Sequence, residues 1–179
     1  FCNVRADAAN DENLNETLAT FDNNITFKNV TFKYDEKVII DNFSYTFEKN
    51  KSYAIVGPSG AGKSTILNLL MGLYKDYEGS INYDENEISI LNQDSIYDVL
   101  SLIEQKVFMF DASLYNNITM YNEYSKDEID DAINKANLVT LVNEKGIDYE
   151  CGQGGSNLSG GERQRISIAR GLIMNPELL

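Results

Sequence analysis

Residues 52–73, SYAIVGPSGAGKSTILNLLMGL, read as a short apolar strand (Tyr53 to Val56), a glycine-rich loop and an amphipathic helix that begins near Lys63. The loop fits G-x-x-x-x-G-K-[ST] with Gly57, Gly62, Lys63 and Ser64 at the fixed positions. Glycines let the backbone turn tightly, so that successive N–H groups point inward at phosphate oxygens, and the positive end of the following helix adds to their field. Lys63 has the reach for the β- and γ-phosphates of a nucleotide, and the Ser64 hydroxyl suits Mg²⁺. The competing reading is an ordinary glycine-rich turn between a strand and a helix.

Upstream, residues 6–24 (ADAANDENLNETLATFDNN) have the composition of a linker or frayed arm, with Leu14, Leu18 and Phe21 available to dock on the domain next in the chain. From Ile25 the pattern turns to period-two alternation, ITFKNVTFKY, followed by NFSYTFEKN, which predicts antiparallel strands with one buried face. Tyr34 closes the first of them. It has two readings: a residue covering the sheet edge, or a platform on which an adenine ring stacks.

Downstream, Gly72 ends the helical periodicity, and YEGSINYDENEI predicts a hairpin turning at Asp84 to Asn86. A loop and short helix come next in ISILNQDSIYDVL, then a strand from Ser101 to Glu104 with Gln105 at its polar exit. Gln105 beside a phosphate site would reach Mg²⁺ or its water, which makes it the one candidate for a catalytic role; alone it is a plain loop residue. The apolar run Val107 to Phe110 adjoins a loop and reads either as core or as a docking surface. Ser125 predicts the N-cap of a helix whose Ile129, Ala132, Ile133 and Ala136 share one face. A second glycine-rich stretch, GQGGSNLSGG from Gly152 to Gly161, runs directly into the helix ERQRISIARGLIMN, which Pro176 ends. Leu158, Ser159, Gly160 and Gly161 there combine a hydroxyl, backbone N–H groups and a helix dipole, all suited to a phosphate oxygen.

The 179 residues carry a net charge of -13 and a pI near 4.3, which opposes binding to a nucleic-acid backbone. A single nucleotide is another matter, because surface charge is screened within about 8–10 Å while the field at one helix end is local. Cys2 and Cys151 stand far apart, and with no His in the chain they read as free thiols rather than zinc ligands. No apolar run approaches the roughly 20 residues that cross a bilayer.

GPSGAGKST followed about a hundred residues later by LSGGERQR resembles the nucleotide-binding domain of an ABC transporter, over Ile25 to Leu179. The resemblance implies an α/β fold: a P-loop NTPase (RecA-like) core, an N-terminal antiparallel β-subdomain and a helical signature subdomain, with residues 1–24 as an arm after a transmembrane domain and 25–179 as the nucleotide-binding domain. It implies ATP and Mg²⁺ as cofactors. Tyr34, Gly57, Ser59, Gly60, Gly62, Lys63, Ser64, Thr65, Leu158, Ser159, Gly160 and Gly161 would bind the nucleotide, and Ser64 and Gln105 the metal. VFMFDASLYNNI resembles exporters, where an aromatic stretch receives the coupling helices of the transmembrane half, and YECGQGGSNLSGG resembles their x-loop, with Glu150 in the acidic position and Cys151 where a plain apolar residue is usual.

By the same resemblance the partners are a second nucleotide-binding domain, identical or not, which sandwiches two ATP molecules with the first, and a transmembrane domain; nucleic acid is not among them. The place is the cytoplasmic face of a membrane, and the abundance of Asn, Ile, Lys, Asp and Tyr fits a bacterium with AT-rich DNA. The family continues past the PELL position with a Walker B strand ending in Asp-Glu and then a switch His, whereas this sequence stops at Leu179. The expectation is therefore a chain that at most binds Mg-ATP weakly without turnover, and that is only marginally stable. The alternatives are a soluble ABC-type ATPase acting on DNA or ribosomes, a different phosphate-loop enzyme such as a small-molecule kinase, and a non-catalytic interaction protein.

Overall fold

A computed structural model describes residues 17–179. Cys2 and Leu14 lie outside the described residues, as does most of the expected arm. The chain divides between Val99 and Leu100 into two units.

In the first unit β1 (Asn24–Tyr34) and β2 (Lys37–Glu48) form where β-branched and aromatic residues alternate with polar ones. The alternation steps once. Ile25 and Phe27 are buried, and then Val30 and Phe32, because Asn29 adopts a φ of 51° and inserts one extra residue against β2. Phe27 faces Tyr45 while Val30 faces Phe43, and the Asn29 N–H donates to Ser44 Oγ at 2.8 Å. The predicted hairpin is present as β3 (Glu78–Tyr83) and β4 (Asn86–Glu87), giving one antiparallel sheet in the order β2-β1-β3-β4.

Helix α1 (Lys63–Leu70) comes after the glycine loop, and Leu69 and Leu70 are buried. Tyr83, fully buried on β3, donates its hydroxyl to the Leu70 carbonyl at 2.6 Å, which satisfies one of the free acceptors at the end of α1 and ties sheet to helix. Beyond Tyr83 the Asp84 carboxylate accepts the backbone N–H groups of Asp22 and Asn23, each at 2.7 Å, and of Asn24 at 3.0 Å. Phe21 is buried and Leu18 is 66% exposed. Helix α2 (Gln93–Val99) completes the unit, with Asn92 Oδ1 accepting from the N–H groups of Asp94 and Ser95 at its start.

In the second unit α3 (Leu114–Thr119), α4 (Lys126–Lys135), α5 (Val139–Lys145) and α6 (Gly160–Ile173) enclose a core that includes Leu114, Ile118, Ile133, Leu141 and Ile166. Ser125 caps α4 as predicted, its hydroxyl accepting from Glu128 N while the Glu128 carboxylate accepts from Ser125 N at 2.7 Å. Helix α6 sits against both α3 and α4 and buries Ile166, Ala169 and Ile173.

The fold is thus mixed α/β, with an antiparallel sheet in the N-terminal unit. Two predicted strands need correction. Tyr53 to Val56 and Ser101 to Glu104 join no sheet: of the latter, only the neighbouring Leu100 makes an isolated parallel bridge, to Leu178, with Ser101 N–H donating to Leu178 O at 2.9 Å. A strand is held by ladder hydrogen bonds to a neighbour, and no described strand pairs with either segment. Val56 is accordingly 87% exposed, and Tyr53, Ile55 and Val56 line an open apolar groove of about 280 Å³ with Phe43, Phe47 and Ile66. No described helix is long and apolar enough to cross a membrane.

Candidate functional site

The phosphate loop lies in the first unit between Tyr53–Val56 and α1. Gly57, Ser59 and Gly60 are exposed, and Gly60 and Gly62 take φ values of 80° and 83°, a region closed to most side chains. A methyl group on Gly62 would come within 2.7 Å of Ile40 Cδ1 and 3.2 Å of the Ile39 carbonyl, so the loop also rests directly on β2. The Lys63 ammonium folds back along the loop and donates to the carbonyls of Gly57 at 3.0 Å and Pro58 at 2.7 Å. No side chain caps the start of α1, whose N-cap is Gly62 itself. The first-turn N–H groups and the helix dipole therefore meet an approaching anion with no side-chain cap and no acidic residue in that turn. Ser64 is exposed in this first turn, a hard oxygen donor; Thr65 is buried.

Tyr34, 42% exposed at the end of β1, is held by other rings. Its hydroxyl donates to Tyr74 Oη at 2.7 Å, and its ring stands nearly perpendicular to those of Phe32 and Tyr74, which stack on each other at 4.8 Å. The hydrogen bond with Tyr74 raises the Tyr34 phenol pKa, burial adds to this, and a bond from the Thr65 side chain works against it.

The second glycine-rich stretch, in the other unit, places Ser159 as N-cap of α6. Its Oγ accepts from Glu162 N at 3.3 Å and its own N–H donates to the Glu162 carboxylate at 2.6 Å. Hydrogen bonds from the Ser159 backbone N–H and from its side chain hold the Glu162 carboxyl below its ordinary pKa. Gly160 and Gly161 form the first turn, both exposed, while Leu158 is buried in the unit's core. Arg163 braces the loop by donating to the carbonyls of Gly155 and Leu158. Gln105 is exposed in a bend of the same unit. Among the described residues no cluster of His, Cys, Asp or Glu could hold a metal ion, so the metal donors at hand are single groups such as the Ser64 hydroxyl.

Val107 to Phe110 is not wholly core: burial alternates along it. Met109 is buried in the core, whereas Phe108 is 64% exposed and packs its ring on Phe110, which in turn meets the exposed Tyr121. This aromatic surface is fixed from beneath. The fully buried Asn117 amide accepts from Phe110 N and donates to the carbonyls of Phe110, Ala112 and Ser113. Arg170 of α6 donates to the carbonyls of Asn117 and Phe108 at 2.9 and 3.0 Å. Desolvation lowers the Arg170 pKa. Cys151 is buried, and burial followed by the neighbouring Glu150 charge pushes its thiol pKa up.

Sequence reasoning passed over Tyr74, Asn117 and Arg170. The one local signal for Tyr74 is an aromatic residue two places past the glycine that ends a helix.

Comparison with known proteins agrees with this geometry. Residues 40–179 match the family model "ABC transporter". The chain is 37% identical over 175 residues to an ATP-dependent lipid A-core flippase of Francisella tularensis subsp. holarctica, covering 96% of this chain and 29% of that protein. It is 34% identical over 168 residues to ABC transporter B family member 13 of Arabidopsis thaliana, covering 91% of this chain and 14% of that one. A solved bacterial Atm1-family ABC exporter with ATP bound superimposes with a TM-score of 0.82 at 36% identity, over 89% of this chain and 29% of the other. The chain thus spans under a third of the length of these relatives. With a phosphate loop, a second capped glycine-rich helix start and a family match over residues 40–179, the chain belongs to the ABC transporter family, and its likeness lies with the ATP-binding part of exporters.

Proposed function

We propose that this chain is the nucleotide-binding domain of an ABC exporter, in which ATP binding and hydrolysis drive transport by the transmembrane half. The observation that carries it is the uncapped start of α1 under Gly60 and Gly62, with Lys63 laid along the loop. The backbone N–H groups of the loop and of the first turn of α1 bind phosphate oxygens, and Lys63 exchanges its two loop carbonyls for them. Tyr34 stacks on the adenine ring. Ser64 would supply one oxygen to Mg²⁺, and by the family resemblance Gln105 would be a further metal donor. Bound there, Mg²⁺ supplies charge neutralisation for phosphoryl transfer.

Ser159, Gly160 and Gly161 face the γ-phosphate held by a second nucleotide-binding domain, and Leu158 of the same motif anchors them from the core. The aromatic surface of Phe108, Phe110 and Tyr121 receives the transmembrane domain at the cytoplasmic face of the membrane. Exporters and a flippase among the relatives support this over a soluble ATPase acting on nucleic acid or ribosomes.

Titration calorimetry of the chain with Mg-ATP tests the reading against Lys63→Ala. Loss of a charged donor to phosphate weakens binding about 10- to 100-fold. Equal affinity of the two proteins, with both folded by circular dichroism, would overturn it.

A further inference from the structure

The Tyr34 ring has no reason of its own to stay where an adenine would need it. It ends β1, the next residue Asp35 turns the chain at a φ of 50°, and the ring is 42% exposed. An aromatic side chain in such a place loses rotamer freedom when a base stacks on it, and that loss is charged against affinity. Here the loss is incurred before any ligand arrives.

Tyr74 is what fixes it. Its ring stacks on Phe32 with an interplanar angle of 28°, and the Tyr34 ring stands at 86° to both. The Tyr74 hydroxyl accepts from the Tyr34 hydroxyl at 2.7 Å and from Asn68 Nδ2 at 3.3 Å. Asn68 lies on α1, five residues after Lys63, so this oxygen bonds the platform to the helix that starts at the phosphate loop, beside the bond that the Thr65 side chain of the same helix makes to Tyr34.

We infer that Tyr74, backed by Asn68, is a positioning residue that locks the Tyr34 ring to the phosphate helix, so that a nucleotide is measured for its base and its phosphates in one frame. The inference rests on the proposed stacking role of Tyr34. A bare triphosphate, which has no base, gains nothing from the lock, and this separates positioning from general support of the fold.

The test is titration of the 179-residue chain with Mg-ATP and, separately, with Mg-tripolyphosphate. Tyr74→Phe keeps the ring and its stacking on Phe32 and removes only the hydroxyl. Both it and Tyr34→Phe should raise the Kd for ATP about three- to tenfold, the worth of one hydrogen bond, while the Kd for tripolyphosphate stays within twofold. Tyr34→Ala should raise the ATP Kd further, and adding Tyr74→Phe to Tyr34→Ala should change nothing more, because there is no ring left to position. If Tyr74→Phe leaves the ATP Kd unchanged while Tyr34→Ala raises it, the stacking role stands and the positioning role falls. Equal weakening of ATP and tripolyphosphate by Tyr74→Phe would make the residue a structural support and overturn the inference. An unchanged ATP Kd in Tyr34→Ala removes the platform reading and the inference with it.

Discussion

Replacing Gly62 by Ala asks the loop to do two unfavourable things, and the structure allows each to be sized. The first is conformational: at a φ of 83° an alanine is in the left-handed region, at a cost of about 1–2 kcal/mol. The second is steric. The new methyl would lie 2.7 Å from Ile40 Cδ1, 3.2 Å from Ile39 O and 3.3 Å from Ile39 Cγ2. The Ile40 side chain is 6% exposed and has little room to turn, and the Ile39 carbonyl is backbone, so overpacking adds about 1–3 kcal/mol. The sum is about 2–5 kcal/mol, a large share of a domain's stability. Gly60 provides the internal control: its φ is 80°, yet a methyl there meets nothing within 4 Å. Gly60→Ala should therefore show only the conformational part. Urea unfolding followed by far-ultraviolet circular dichroism measures both variants, and their difference isolates the contact with β2. Equal destabilisation of the two, within about 0.5 kcal/mol, would refute the steric half of the reasoning.

Asn117→Ala removes a fully buried amide that serves one N–H and three carbonyls, and leaves the Phe110 N–H without that acceptor. A loss of about 3 kcal/mol is expected in urea unfolding, with the Phe108 and Phe110 ring resonances shifting by nuclear magnetic resonance; a loss under 1 kcal/mol would contradict the network. Asp84 gives a pH dependence: burial raises its pKa, but hydrogen bonds from Asp22, Asn24 and Asn23 outweigh this and leave it below its ordinary 3.8. Its contribution is then full above the unfolded value and lost as pH falls through the lower folded one. Melting temperature should fall below about pH 4 in the parent and fall less steeply in Asp84→Asn, and identical slopes would count against the latch on residues 22–24.

What is legible in the sequence is what a short stretch of chain decides for itself. The Ser125 capping box and the glycine-rich start of α1 each depend on residues within four positions of one another, and both are found where those residues predict them. The strand expected at Tyr53 to Val56 rests on equally good local apolarity, but a strand is defined by a neighbour, and that partner is not encoded in the stretch. The bulge at Asn29 is hidden inside what looks like continuous alternation: the pattern changes phase by one residue, which is visible only once the partners Tyr45 and Phe43 are known. Tyr74 and Arg170 could not be singled out because their decisive contacts span 40 and 53 residues of sequence.

The two glycine-rich helix starts, similar in sequence, differ electrostatically, and the difference orders their roles in the proposed function. Helix α1 begins at Gly62 with no side-chain cap and a lysine beside it, so the roughly half unit of positive charge at its end adds to that of Lys63. Helix α6 begins with a closed capping box, in which the Glu162 carboxylate, its pKa lowered by Ser159, already sits on that partial charge as a full negative one. A free phosphate is attracted to the first and meets a resident anion at the second. In the proposed function, capture of nucleotide therefore falls to α1. The signature residues have the N–H groups of Gly160 and Gly161 to give, but these are worth giving only to a phosphate whose charge has been largely neutralised elsewhere. That is the condition met when lysine and metal on another nucleotide-binding domain already hold it, so on this reading the signature closes over bound ATP and does not recruit it.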